Sequence, residues 1–253
     1  MDFPSLLQFA ISGLTVGATY GLTALGFTII FNTTGVINFA QGEFVMLGGM
    51  MSVFAMRALG LPEPAAVALA VVAAVAVGAL VERLAIRPVS GRPAIDLVII
   101  TIGVSILIRG LAMLVWGKDT FALPPFSGNT PIPLFGAALM PQSLWVLGIS
   151  LCLLAALKYF FSATLTGKAM LACSFDPKAA SLVGIGVRRM VLLSFMISAF
   201  VGAVGGAILA PLTMTSYDVG VLLGLKGFAA CILGGPGEDE RGTIEAKCAA
   251  SGR

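Results

Sequence analysis

The chain has 253 residues and a formal net charge of +3, with 58% hydrophobic and only 11% charged residues, and a mean hydropathy of +1.02. Soluble domains carry about a quarter charged residues, so this composition excludes an ordinary water-soluble globule and points to a chain folded in a bilayer. Histidine is absent and the four cysteines, Cys152, Cys173, Cys231 and Cys248, form no CxxC pair, which excludes histidine acid–base chemistry and the common zinc sites.

Apolar segments run approximately over 5–31, 40–58, 64–85, 95–116, 143–163, 190–213 and 218–234. Spanning needs roughly 20 residues, so the last is marginal. The expected fold is all-α: a polytopic bundle of about seven spanning or partly spanning helices over 1–235. A polar tail over 236–253 is expected to be disordered. Asp2 precedes the first apolar run with no basic residues, unlike a cleaved signal peptide. Within that run Gly13, Gly17 and Gly21 repeat every four residues, as do Thr15, Thr19 and Thr23 half a turn away. Small residues at this spacing let a neighbouring helix approach closely. The threonines can bond across helices or back to their own backbone.

The next stretch, Asn32–Glu43, interrupts the apolar pattern. Asn38 and Gln41, three residues apart, fit a capping box, and Glu43 falls in the first helical turn, where a carboxylate suits the helix dipole. A break at membrane depth is also tolerated where it faces protein or a water-filled cavity, and broken helices in transporters present polar groups to solutes. Asn38, Gln41 and Glu43 are therefore candidates for capping and, equally, for a translocation pathway or gate.

Glu82 and Asp96 fall near the ends of their spans and read as interface anchors, whereas Arg109 lies deeper and can snorkel. Loop 117–142 is rich in proline, glycine and aromatics, and no structure can be assigned to it. Eight of the 15 basic residues (Arg83, Arg87, Arg92, Lys158, Lys168, Lys178, Arg188 and Arg189) flank two links, 86–94 and 164–189. Positive loops stay cytoplasmic, so both links are expected on the inner side and the N-terminus outside.

Inside the second link, Asp176 reads as an N-cap with Pro177 at the first helical position, and Gly184 closes the same short helix. Ala179, Ala180, Leu182 and Val183 give it an apolar side. A short helix outside the bilayer, clamped between spans, is a handle for another protein. Lys226 falls near the middle of the last segment, where a charge costs at least about 2.5 kcal/mol; it is expected to face the bundle interior, paired with a carboxylate or with carbonyls, and is a further candidate for the pathway or gate. No phosphate loop, paired carboxylates or nucleophile elbow is present, so any ATP must be bound by another chain.

Three stretches then resemble one family. They are Asn38-Phe39-Ala40-Gln41-Gly42-Glu43, the island from Ala172 through Asp176 to Arg189, and Gly224-Leu225-Lys226-Gly227-Phe228-Ala229-Ala230 running on to Gly235. Together they resemble the branched-chain amino acid permeases of bacterial ATP-binding-cassette importers, of the LivH type, over about residues 5–235. The resemblance implies an inner-membrane, multi-pass transporter subunit without cofactor or nucleic acid. It works with ATPase subunits, a second permease subunit and a periplasmic substrate-binding protein. It makes Asp176, Pro177, Lys178, Ala179, Ala180, Leu182, Gly184 and Ile185 the helix that couples to the ATPase. Family members continue past Gly235 as membrane helix, whereas Pro236–Arg253 is polar here and looks truncated or frame-shifted. A urea or short-amide importer of the same family is the near alternative. An ATP-independent secondary transporter or channel is the distant one, and it would need coupling carboxylates or inverted repeats.

Overall fold

A computed structural model describes residues 3–89, 92–128, 130–134 and 137–234; the expected polar tail lies outside them. The described chain is a helical bundle: α1 (Phe3–Thr34), α2 (Gln41–Leu59), α3 (Glu63–Val81), α4 (Ala94–Trp116), α5 (Pro141–Ala163), α6 (Leu165–Phe175), α7 (Pro177–Leu182), α8 (Val187–Thr213) and α9 (Val219–Gly234). Helix α3 winds on through a wider π turn, Glu82–Ile86, and a 3₁₀ turn, Arg87–Val89. Six of these helices are long and apolar enough to cross a membrane, and α9 is a shorter apolar helix. Hydrocarbon offers no partner to a backbone N–H or C=O, which is why long self-satisfied helices are the outcome. Large apolar side chains such as Leu14, Val72, Leu114 and Leu151 point outward, as a surface solvated by lipid requires.

Helix α8 is the axis. It packs on α1, α2 and α3 through small residues: Gly202, Ala203, Gly206, Ala207 and Ala210 are all buried. A Cβ added at Gly206 would collide with the Val45 carbonyl of α2, and one added at Gly48 would collide with the Ala203 backbone. The α2 and α8 backbones therefore touch directly, the geometry that small residues four apart permit. Helix α9 repeats the device against α2, with Gly42 facing the Gly220 carbonyl, and against α1, with Gly227 facing Thr23.

The glycine stripe of α1 behaves differently. Among the described residues nothing approaches within 4 Å of a Cβ on Gly13, Gly17 or Gly21. The contact side of α1 is instead the threonine stripe, with Thr15, Thr19 and Thr23 buried. Their hydroxyls donate back to their own helix, at Ile11 O (2.8 Å), Val16 O (2.7 Å) and Thr19 O (3.1 Å), so they satisfy themselves and leave the helix face smooth.

Loop 117–142, unassigned from sequence, is tied down at several points. Phe121 and Thr215 exchange two backbone hydrogen bonds, 2.8 and 2.7 Å. Strands β1 (Ile132–Leu134) and β2 (Ala137–Leu139) form an antiparallel hairpin, and Gln8 Oε1 of α1 accepts from Ala138 N at 2.9 Å. Gln142 Nε2 donates to Ile208 O (2.9 Å) while its Oε1 accepts from Phe126 N. At the opposite end of the bundle the two basic links meet. Arg87 from one, and Lys178 and Arg188 from the other, line one cavity of about 350 Å³. Both links therefore lie on the same side. Glu82 also lines this cavity, yet it is buried within the range of Arg87 and Arg83 rather than reaching outward as the anchor the sequence suggests.

The close α2–α8 contact leads to a prediction. Gly206→Ala should cost about 3 kcal/mol or more, since overpacking typically costs about 1–3 kcal/mol and the obstacle here is backbone that cannot swing aside. Gly103→Ala, at an open position on α4, should be neutral. Denaturant unfolding in detergent micelles compares the two, and equal stabilities would refute the contact.

Candidate functional site

Two regions carry polar chemistry. The first is the break between α1 and α2. Helix α1 ends at Thr34, and Gly35 turns the chain in the left-handed region (φ +69°). The connector then folds back, so that α2 starts beside Ser198, near the middle of α8. The expected capping box does not form. The N-cap position is Ala40, which has no side chain to cap with. Asn38 instead bonds locally, its Oδ1 accepting from Ala40 N (3.1 Å) and its carbonyl from Gln41 N (3.1 Å). The Gln41 side chain points away from the helix end. Its Nε2 donates to Ser198 O (3.3 Å), and Ser198 Oγ lies within hydrogen-bonding reach of both Gln41 Oε1 and Gly26 O of α1. Any side chain at Gly26 would occupy the volume that Gln41 fills. Gln41 is thus a fully buried amide joining α1, α2 and α8, a role set by a partner 157 residues away and invisible to local pattern.

Glu43, 1% exposed, accepts from Ser105 Oγ of α4 at 2.8 Å through Oε1, while its Oε2 has no hydrogen-bond partner. The nearest cationic influence on it is Arg109, one turn beyond Ser105 on α4. Oε2 lies 2.8 Å from the point where a Cβ on Gly220 would stand, so the first turn of α9 closes over the carboxyl group. The arrangement brings Glu43, Ser105, Arg109 and Gly220 together from three helices, whereas sequence reasoning leaves Arg109 as a snorkelling residue. Lys226 is not part of this group. Its side chain is exposed at the chain's surface, with Nζ 5.2 Å from the centre of the Tyr20 ring, so among the described residues the expected interior pairing with a carboxylate or carbonyls is not formed.

The second region is the basic link between α5 and α8. Thr164 caps α6, its Oγ1 accepting from Gly167 N at 3.0 Å, and Gly167 lies so close to the end of α5 that a Cβ would meet the Phe160 carbonyl. Cys173 is buried in α6, and that burial pushes its thiol above the usual range. Asp176 then caps α7 as its position suggests, with Oδ1 accepting from Lys178 N (2.8 Å) and Ala179 N (3.1 Å) and Pro177 opening the helix. Gly184 closes it at φ +87°, with Gly184 N donating to Ser181 O (3.1 Å) and Ile185 N to Ala180 O (3.0 Å). These are the paired bonds of a Schellman motif. Ala180 is the buried contact, whereas Leu182 and Val183 are 88% and 77% exposed. The apolar residues of this segment therefore divide, Ala180 holding the helix down and Ala179, Leu182 and Val183 presented outward.

Gln41 has a measurable consequence. Removing it leaves the Ser198 carbonyl short of its donor and a void where three helices meet. Gln41→Ala should destabilise the bundle by about 2–5 kcal/mol, the range for large-to-small changes in a core. Gln41→Glu should do no better, because it removes the donor to Ser198 O. Thermal unfolding in detergent reads both, and wild-type stability for either would rule out the bridge.

The family model for the permease component of branched-chain amino acid transport systems matches residues 9–244. The high-affinity branched-chain amino acid transport system permease protein LivH of Escherichia coli K12 is 34% identical over 93% of this chain and 81% of its own length. The corresponding permease protein BraD of Pseudomonas aeruginosa is 32% identical over 91% of this chain and 80% of its own. A fructose import permease protein, FrcC of Rhizobium meliloti, is more distant at 26% over 86% of this chain. No solved structure matches. With the polytopic helical bundle, the matched residues show that the chain belongs to the family of branched-chain amino acid transport system permease components.

Proposed function

We propose that this chain is the membrane-spanning subunit of an ATP-driven importer in a bacterial inner membrane, passing branched-chain amino acids by alternating access. In this reading a second permease subunit completes the pathway, ATPase subunits supply the work and a periplasmic binding protein delivers the solute. The chain itself performs no hydrolysis.

One observation carries the reading: α7. A helix of six residues has no stability of its own, since isolated helices shorter than about 12–15 residues are marginal. Here it is fixed at one end by Asp176 and at the other by a positive-φ glycine, and it is joined with short connections to α6 and α8. It presents Leu182 and Val183 as an apolar step outside the bundle. A force applied there passes directly into α8, the helix against which α1, α2 and α3 pack. The cluster of Arg87, Lys178 and Arg188 around the shared cavity favours the cytoplasmic side for this end, by the excess of positive charge in inner loops. The open glycine face of α1, Gly13, Gly17 and Gly21, is read as the packing surface for a neighbouring subunit.

Gly184→Val tests the coupling role. A β-branched residue at φ +87° is strained by of order 1–3 kcal/mol, enough to loosen so short a helix. In the assembled importer, ATP-dependent uptake of labelled leucine should fall by about tenfold or more, because each 1.4 kcal/mol is about tenfold in an equilibrium, while ATP hydrolysis persists. Unchanged uptake would show that α7 does not transmit the force.

Sidedness has its own test at Ser181, which is exposed. Cys173 is unsuitable because it is buried with a raised thiol pKa. In inside-out vesicles, Ser181→Cys should react with a membrane-impermeant maleimide; in right-side-out spheroplasts it should not. The reverse pattern would place α7 outside and end the proposal.

A further inference from the structure

Between α4 and α9 there is a cavity of about 210 Å³. Pockets for drug-sized ligands run to about 300–1,000 Å³, so this one suits a smaller solute. Its lining has two characters. Phe27, Phe39, Ile102 and Leu225 make an apolar wall, stiffened where Phe228 stacks against both Phe27 and Phe39 with ring centres 5.8 and 5.5 Å away. Its polar part is Ser105 and Arg109, one helical turn apart on the face of α4 that also carries Ile102.

Glu43 lies directly behind this lining. Two of the residues that wall the cavity, Ser105 and Gly220, are the ones that touch its carboxyl group: Ser105 Oγ donates to Oε1, and Gly220 leaves room for Oε2 only because it has no side chain. Oε2 is buried and unpartnered. A buried carboxyl oxygen without a partner is expensive, and ionisable residues within spans mark solute or ion pathways by default. Arg109 supplies the opposite charge, close enough to act on Glu43, and its guanidinium has a fork that matches a carboxylate.

We propose that this cavity is a binding station for one zwitterionic amino acid with an aliphatic side chain, its carboxylate on Arg109 and its ammonium at Ser105 Oγ, backed by Glu43. The side chain lies against Phe27, Phe39 and Leu225. The inference rests on the permease reading above and adds to it the place where the solute pauses and the groups that hold each of its ends. An apolar wall alone would admit any small hydrophobe. The paired charges select a molecule carrying both, and each alone would be left uncompensated by an analogue that lacks its partner.

The test uses the full chain purified with its partner subunits in lipid nanodiscs. In a Cys152→Ser background, Ile106→Cys places a thiol on the cavity lining and Leu114→Cys places one on the same helix outside it. Alkylation by a neutral maleimide is followed by mass spectrometry with L-leucine, with isocaproate, which lacks the ammonium, or with isoamylamine, which lacks the carboxylate. Leucine should protect the thiol of the Ile106→Cys variant and not that of the Leu114→Cys variant. The two analogues should need about tenfold or more higher concentration, the effect of losing one charge-assisted contact. Arg109→Gln should weaken leucine protection similarly and Arg109→Lys should restore part of it. Arg109 is only half-buried, so these variants remain informative if Glu43→Gln fails to assemble. Labelled-leucine uptake is measured in parallel with the same assembly reconstituted in sealed proteoliposomes. Uptake without protection overturns the station and leaves the permease reading standing, whereas loss of both overturns the amino-acid reading itself. Slow alkylation in every solute that speeds up on delipidation would identify the occupant as lipid and overturn the proposal.

Discussion

The bundle depends on one constraint, the contact between the backbones of α2 and α8. In lipid the hydrophobic effect does not draw helices together, so close van der Waals packing must do it. Gly48 against Ala203 and Gly206 against Val45 allow that approach. The consequence is that little side-chain volume lies between the two helices along this seam. Whatever sits there is held on all sides, which is why Gln41 and Ser198 can keep a buried polar link in place. The re-entrant start of α2 follows from the same contact. With α2 pressed against the middle of α8, its polar first turn is enclosed by α1, α8 and α9 instead of reaching the membrane surface.

Rigidity then passes downward. Helix α8 carries the small-residue seam along its middle and C-terminal portion and the basic pair Arg188 and Arg189 at its start. Below it, α7 is fixed by a side-chain cap at one end and a Schellman closure at the other. A short helix so fastened is held directly against the start of α8. Helix α8 is in turn packed on α2, which bears Glu43. The exposed apolar step at Leu182 and Val183 and the buried Glu43 are therefore linked through the packing of α7 on α8 and of α8 on α2.

How far the residues foretold this depends on the range of the interaction. The spans were legible because a bilayer imposes a length and an apolar composition on each of them. The caps of α7 were legible because Asp176-Pro177 and Gly184 act over three or four residues. The role of Gln41 was not, since its partners are supplied by helices far off in the chain, and a local rule assigned it to capping. The seam had a visible signature in Gly202 and Gly206, four apart, and in Gly220 and Gly224. The same spacing at Gly13, Gly17 and Gly21 drew attention to the face of α1 that no described residue covers. Spacing of small residues shows where a close approach is permitted, and only the fold shows which of the permitted faces is used.

The two intramembrane cations show the same limit. Arg109 and Lys226 are equally costly in a spanning segment on composition alone, and a hydropathy argument ranks Lys226 first because it lies nearer the middle of its helix. The fold reverses the order. Lys226 lies at the surface of this chain over the Tyr20 ring, where an aromatic face offsets part of the cost of the charge. Arg109 lines a cavity one turn from the serine that holds Glu43. What separates them is the company each keeps: Lys226 stands on an aromatic ring at the surface, whereas Arg109 lines a cavity beside the serine that bonds a buried carboxyl group.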